Sequence, residues 1–593
     1  MPSCQSQNLS IPMSQAYVAP TPRTLDELLQ SKFDARTAII LPASSGSRRR
    51  ISYAALRSLI HSVSRSLLAG GLQPGQRIAL SLPNSLDLVA SFLAITNARG
   101  VAAPLNPAYT VDEVKYYLRD MQCAAILLPK GGAPLARKAA VELGVMVYDL
   151  SWRGEHLSML PAPAQAPSVR VPDAGAIDRA SMSASPLPVP SPEDVALILH
   201  TSGTTSAPKA VPLNHGNLTR TLTNICNTYR LQPEDTCMLV MPLFHVHGLM
   251  ACLLSPLASG GSVIVPPKFS AGSFWGEFAA EGATWYSAVP TIHQILLAHE
   301  SSQPSTALRR KLKFIRSCSS ALAAPTHAAL ESTFGVPVVE AYAMTEASHQ
   351  MTSNNLPGLG SGASKGLRKA GSVGVGQGVE VAILDPAGKM LKPMEQGEIS
   401  IRGPNVTRGY LNNPKANAEC FTEATDAGAA KGSFGFSGPF FRTGDQGYLD
   451  ADGFVWITGR LKELINRGGE KIAPLEIDAA MLGHASVAEA ISFARPDEML
   501  GQDVAAAIVP KPEVWARIQS AGAPGTEARA RAEAELRASV IAHCQSRLSG
   551  FKVPRLIYFA DALPKTATGK IQRRNIADYF LKLKIQPPIA AKL

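Results

Sequence analysis

From Tyr53 onward, in AALRSLIHSVSRSLLAGG, apolar residues return every third or fourth position until a glycine pair, and this spacing predicts a helix that stops at Gly70. QPGQRIALSLPNS then reads as a turn and a short strand, SLDLVASFLAITNARG as a second helix, and VAAPLNP as a strand and turn. TVDEVKYYLRDMQCAAILLP repeats the alternation, which implies α/β layers. Further on, LILHT, MLVMPLFHVHGLMACLLSPLASGGSVIVPP, ATWYSAVPTIHQIL, LKFIRSCSSAL and VPVVEAYAMTEA each lead with an apolar strand. Open α/β sheets bind ligands at their strand ends, so these ends are expected to meet in one crevice. A boundary falls near TGRLKELINRGG, and VAEAISFARPDEMLGQDVAAAIVP with the helical segments after it predicts a small α+β domain.

Five stretches interrupt the pattern. Residues 1–25 are polar and dotted with proline, which predicts a flexible start. Ala, Pro and Ser dominate 161–192, as in an inserted loop or linker. Segments 357–370 and 424–438 read as surface insertions, and 512–537 as an exposed helical one.

Composition changes the picture in three respects. A chain of 593 residues exceeds what one hydrophobic core organises, and 46% hydrophobic against 17% charged residues fits a compact enzyme rather than a solvated tail protein. The net charge of +11 favours anionic partners such as nucleotides or CoA, yet no Lys/Arg block longer than Arg48 to Arg50 accompanies it, which argues against nucleic acid or a membrane surface. The eight cysteines lack a C-x-x-C pair and read as reduced, packed thiols; Cys318 belongs with these rather than with catalysis. No run is apolar enough for a transmembrane segment, and MPSCQSQNLSIPMSQ lacks a secretory layout. The tripeptide Ala591-Lys592-Leu593 is close to Ser-Lys-Leu, which points to a peroxisomal import receptor and a peroxisomal location, with the cytoplasm as alternative.

The candidate chemistry centres on Thr201, Ser202, Gly203, Thr204, Thr205, Ser206, Ala207, Pro208 and Lys209, which follow an apolar strand. Gly203 lets the backbone approach an anion, the hydroxyls donate to its oxygens and Lys209 brings positive charge, so the loop suits phosphate. The spacing is not that of a Walker A loop, and a hydroxyl-rich surface turn is the other reading. TSGTTSAPK resembles the phosphate loop of the adenylate-forming superfamily of acyl-CoA synthetases, 4-coumarate-CoA ligases and luciferases. The resemblance spreads over nearly the whole chain. It implies a large N-terminal multi-sheet α/β adenylation domain over 26–460 and a small mobile C-terminal α+β domain over 461–593.

Carried over residue by residue, Glu340, Ala341 and Tyr342 lie at the adenine, Thr345 bonds the adenylate phosphate, and Glu346 is the metal ligand for Mg²⁺. Asp445 in FRTGD accepts from the ribose, Arg460 adds a ribose or phosphate contact, and Lys462 is the hinge. Lys570 in PKTATGK resembles the catalytic lysine, bridging the carboxylate and the α-phosphate. Gly468 and Gly469 would face CoA after a domain swing, and Lys268 matches a CoA-contacting position. ATP and CoA are then co-substrates. Ala210 and Ala343 replace the family's glycines, which matters only if those backbones need positive φ.

For the acid, the expected lining is 242–249, 287–295, 316–323 and 341–347, with His245, His247, Thr291, His293, Arg316, Ser317, Ser319 and Ser320 among its polar members. An H-x-H at His245 and His247 also raises zinc, but on a strand the two rings would point to opposite faces and no third ligand is evident. PLFHVHGL, ATWYSAVPTIHQIL, IRSCSSAL and VEAYAMTEASHQM resemble the oxalate-CoA ligase branch of plants and fungi, which implies a small acid met by His247, His293, Ser317 and Ser319. The alternatives are a medium-chain or 4-coumarate-type ligase and, from another class, an RNA-binding or scaffold protein with a retired site. A retired site would have lost Lys570, Glu346 or Asp445, and all three are present.

Overall fold

Helix Tyr53–Ala69 starts where the Ser52 side chain accepts from the Ala55 N–H, and it ends at Gly70. Its apolar stripe, Leu56, Ile60, Val63 and Leu67, is buried against helix Leu86–Asn97, which is buried almost all round and therefore reads as a core helix. The computed structural model to which these elements belong describes residues 17–46, 48–153, 156–161, 186–201, 208–299, 311–359, 367–424, 434–565, 571 and 573–582.

Three sheets make up the larger part. In the nine-stranded sheet, Thr236–Met238, Trp285–Ala288, Phe314–Cys318 and Val338–Met344 run parallel, and His349–Ser353 returns antiparallel beside the last of them. A seven-stranded sheet holds Arg77–Leu80, Val101–Pro104 and the hairpin of Val195–Thr201 with Lys209–Asn214. A five-stranded sheet contains Gly397–Arg402, Phe440–Leu449 and Val455–Arg460. Beyond Arg460 a separate five-stranded sheet is built on the long pair Val487–Asp497 and Gly501–Pro510. Its apolar clusters draw on residues from Ile465 to Phe580, whereas the main clusters of the larger part run from Leu25 to Val455.

The structure departs from the sequence reading in three places. The end of the flexible start is pinned: Tyr17 Oη donates to the Cys226 carbonyl at 2.7 Å and Thr223 Oγ1 to that of Pro20 at 2.8 Å, so helix His215–Tyr229 supplies partners that local composition hides. Segment 512–537 forms helix Pro512–Ser520 and the start of helix Glu527–Gln545; Ile518 and Leu536 pack into the small domain's core, so only one side is exposed. His245 and His247 do not share a strand: a turn precedes the wide π-helical segment His247–Leu254, and among the described residues no cluster of three His, Cys, Asp or Glu could hold a metal. Within the expected 161–192, 357–370 and 424–438 insertions, residues 162–185, 360–366 and 425–433 lie outside the described residues.

Candidate active site

The phosphate-loop hairpin brings Thr201 opposite Lys209 and His200 opposite Ala210. Residues 202–207, with Ser202, Gly203, Thr204 and Thr205, lie outside the described residues, but both ends of the loop are placed. Tyr116 Oη donates to the Pro208 carbonyl at 3.0 Å, and Lys209 Nζ sits 4.6 Å from the centre of the Tyr410 ring. Tyr410 in turn donates to Glu346 Oε1 at 2.9 Å, while the Thr407 N–H donates to the Glu346 carbonyl at 2.7 Å. Segment 407–411 thus joins the loop to the Thr345-Glu346 turn, and the Leu411 N–H reaches the Ala210 carbonyl at 2.9 Å. Sequence reading missed Tyr410; nothing in GPNVTRGYL marks it, because its role comes from contacts with residues far away in the chain.

Glu346 is buried, and that burial raises its pKa. A cation beside it would favour the ionised form, and one carboxylate together with nucleotide phosphates is the oxygen-rich set that Mg²⁺ accepts. The residues present therefore fit the metal.

Strand register puts Asp445 directly opposite Arg460, and Arg460 Nε donates to Asp445 Oδ1 at 2.9 Å. Tyr342 Oη donates to the other carboxylate oxygen. This places Tyr342, Asp445 and Arg460 in one cluster, with Asp445 buried and Arg460 half exposed. Ala341 lies beside Cys318 on the neighbouring strand. Ala210 and Ala343 both sit in strands, and neither has positive φ, so the methyl groups introduce no backbone strain.

Glu340 accepts from the Gly371 N–H at 2.8 Å, and burial pushes its pKa up to about 7. Its charged form is thus disfavoured in the folded chain. Stability from this group is complete below the ordinary value of 4.5 and falls by about 3 kcal/mol as pH rises through about 7. Glu340→Gln keeps the acceptor and has no proton to lose, so its Tm should exceed that of the unmodified protein at pH 8, with a smaller difference at pH 4.5. Melting curves at both pH values test this, and an equal difference at each would refute it.

At the ends of the central strands lies a polar cluster. Arg316 stands beside Ser287 on adjacent strands and is fully buried. Its guanidinium donates to Tyr229 Oη at 2.8 Å, Ser287 Oγ at 3.1 Å and Gln350 Oε1 at 3.1 Å. His247 Nε2 lies 2.7 Å from Ser287 Oγ, and its Nδ1 lies 3.1 Å from Ser319 Oγ, at the half-exposed rim. Because Arg316 already donates to Ser287, the serine proton is left for His247 Nε2; Nδ1–H then points at Ser319. The His349 ring stacks on His247 at 5.1 Å. Both Ser319 and His349 hold positive φ, +75° and +109°, uncommon for residues with a Cβ and typical of sites whose surroundings over-determine them.

Not every expected acyl residue joins this cluster. Consecutive strand residues face opposite ways, so Tyr286 and Ser287 lie on different faces of the sheet. His293 pairs with Tyr286, with Nδ1 at 3.4 Å from Oη, and burial pushes its pKa down to about 3. Ser317 is turned away from the Arg316 face by the same alternation. Of the expected residues, His247 and Ser319 come together, while His293 and Ser317 lie behind them. Ser287, Tyr229, His349 and Gln350 complete the cluster, and only Ser287 fell within the expected lining.

Lys268 is exposed in the loop after strand Ser262–Ile264. Gly468 and Gly469 form the turn between Ile465–Arg467 and Glu470–Ile472, with φ of +58° and +95°. Lys462 belongs to the single turn Leu461–Glu463. Lys570 lies outside the described residues, but its loop is bracketed by Lys565 and Ile571, which pair as an antiparallel bridge.

Comparison with known proteins matches the two-part layout of the chain. The AMP-binding enzyme model matches residues 30–411, and the AMP-binding enzyme C-terminal domain model matches 476–570. An oxalate–CoA ligase from Arabidopsis thaliana is 42% identical over 565 residues, covering 94% of this chain and 99% of the relative. One from Saccharomyces cerevisiae is 44% identical over 527 residues, covering 87% and 89%. The crystal structure of ATP-bound MatB from Rhodopseudomonas palustris superposes with a TM-score of 0.77 at 28% identity, covering 95% of this chain and 99% of that one.

Proposed function

The chain belongs to the AMP-binding enzyme family, as an acid–CoA ligase that passes through an acyl-adenylate, and we propose that its acid is oxalate. The observation that carries this reading is the buried Arg316 charge, whose described hydrogen-bond partners are all neutral, behind the His247–Ser319 pair at the rim. A buried cation without an acid partner is costly, and a bound carboxylate would offset that cost. Oxalate offers almost no apolar surface to bury, so its binding has to come from charge-assisted hydrogen bonds to both carboxylates.

In the first half-reaction one carboxylate oxygen of oxalate attacks the α-phosphorus of ATP, and pyrophosphate leaves with the electrons of the broken P–O bond. Ser202, Gly203, Thr204, Thr205 and Lys209 would hold the outgoing phosphates, Thr345 the phosphate of the adenylate, Tyr342 the adenine and Asp445 the ribose. Glu346 would hold magnesium beside the phosphates, and the ion when bound would supply positive charge at the leaving group. Lys570 would bridge the attacking carboxylate and the α-phosphate as charge moves between them. The distal carboxylate would meet Ser319 Oγ and His247 Nδ1–H, with Arg316 behind them.

The small domain then turns about Lys462, withdrawing Lys570 and bringing Gly468 and Gly469 to the pantetheine of CoA, with Lys268 at the CoA nucleotide. The thiolate adds to the adenylate carbonyl and AMP leaves, giving oxalyl-CoA. Peroxisomal location is part of the proposal and rests on the likeness of Ala591-Lys592-Leu593 to Ser-Lys-Leu, in residues outside the described ones. No described helix is long and apolar enough to cross a membrane.

Steady-state kinetics with ATP, CoA and a panel of oxalate, malonate, coumarate and octanoate tests the substrate. Oxalate should give the highest kcat/KM. Faster use of coumarate or octanoate would sink the oxalate reading and leave the ligase reading standing.

A further inference from the structure

Two ion pairs flank the hinge turn. On one side Arg460 Nε is tied to Asp445 Oδ1 at 2.9 Å, and Asp445 is held by Tyr342, so the chain up to Arg460 is fixed to the large domain. On the other side Glu463 Oε2 accepts from Arg573 Nε at 3.1 Å. Arg573 Nη2 also donates to Asp478 Oδ2 at 2.8 Å, and Nη1 donates to the Ser492 carbonyl. Asp478 Oδ1 accepts from the Ser492 N–H at 2.5 Å, which closes the network.

Arg573 therefore joins three elements of the small domain: the hinge turn Leu461–Glu463, helix Pro474–Leu482 and strand Val487–Asp497. It also opens helix Arg573–Lys582, whose Ile576 and Phe580 are buried with Ile491 and Phe493. Ile571, two residues before it, pairs with Lys565, and Lys565 Nζ donates to Glu489 Oε1 at 2.7 Å on the same strand. Arg573 thus lies three residues after Lys570 in the chain, and one of its anchors is the residue next to Lys462.

We propose that the Glu463–Arg573 pair is a positioning device that couples the lysine loop to the hinge, confining the pivot to Leu461 and Lys462. The proposal rests on the adenylation reading of Lys570 given above. Its physical basis is leverage: Lys570 acts on a substrate held by the other domain, so any slack between the pivot and the helix that follows the lysine becomes misplacement at the α-phosphate. Misplacement by about 1 Å lowers rates by up to about a hundredfold. The thioester half-reaction, in which the lysine is withdrawn, does not use this placement.

Glu463→Gln is the first variant to test, because it removes one charge while Arg573 keeps Asp478 and Ser492. Oxalate-dependent pyrophosphate exchange should fall about tenfold, while thioester formation from supplied oxalyl-adenylate stays within about twofold and Tm is unchanged. Arg573→Lys, which keeps the charge but loses the fork that reaches both acids, should show the same split. Equal loss in both half-reactions, or no loss in exchange, would overturn the proposal. Unmodified protein and Lys570→Ala are run alongside: no exchange in the former, or full exchange in the latter, would instead overturn the reading on which it rests.

Discussion

Replacing Arg316 with methionine is expected to lower kcat/KM for oxalate about a hundredfold while ATP binding stays near that of the unmodified protein. Arg316 is fully buried and contacts His247 Nε2 at 3.5 Å, so its charge lies one side chain behind the rim where the distal carboxylate would dock. Opposite charges about 7 Å apart at an effective dielectric of about 20 attract by about 2 to 3 kcal/mol, which sets the size of the loss. Methionine has similar reach without charge, and removing a buried charge that lacks an acid partner need not destabilise the fold. Steady-state kinetics with oxalate and acetate, together with thermal melting, separates the outcomes. The loss should be confined to the diacid, and His247→Phe should weaken oxalate use by more than about tenfold, the effect of removing one donor to a buried carboxylate. A parallel loss with acetate would show that Arg316 shapes the pocket rather than recognising a second anion.

Lys570→Ala carries the other large expectation: adenylation should fall by 10² to 10³-fold, on the order observed when one donor to developing transition-state charge is removed. Attack of CoA on supplied oxalyl-adenylate should be nearly intact, because the proposed cycle uses the lysine only in the first domain arrangement. Pyrophosphate exchange reads the first step and thioester release from the adenylate reads the second. Equal loss in both would place Lys570 outside the adenylation step.

The sequence by itself determined a good deal. Helix Tyr53–Ala69, the strands that follow it and their α/β order were legible because amphipathic spacing, a serine cap and a glycine stop are local. Three other candidates were legible for another reason: Tyr342, Asp445 and Arg460 belong to short ordered motifs, and the structure brings the three together. The two alanines in glycine positions lie in extended backbone without positive φ, so their methyl groups introduce no backbone strain.

Tertiary structure alone decided which candidates share a face. His247, His293, Ser317 and Ser319 looked equivalent along the chain, but strand alternation sends Ser287 and Arg316 to one side of the sheet and Tyr286 and Ser317 to the other, which separates His247 from His293. Tyr410 reaches Glu346, and Arg573 reaches Glu463, across 64 and 110 residues of chain. Local pattern carries no record of such pairs. They form because each domain folds distant segments of chain against one another, Tyr410 on Glu346 in the large domain and Arg573 on Glu463 in the small one, where burial makes an unpartnered polar group costly.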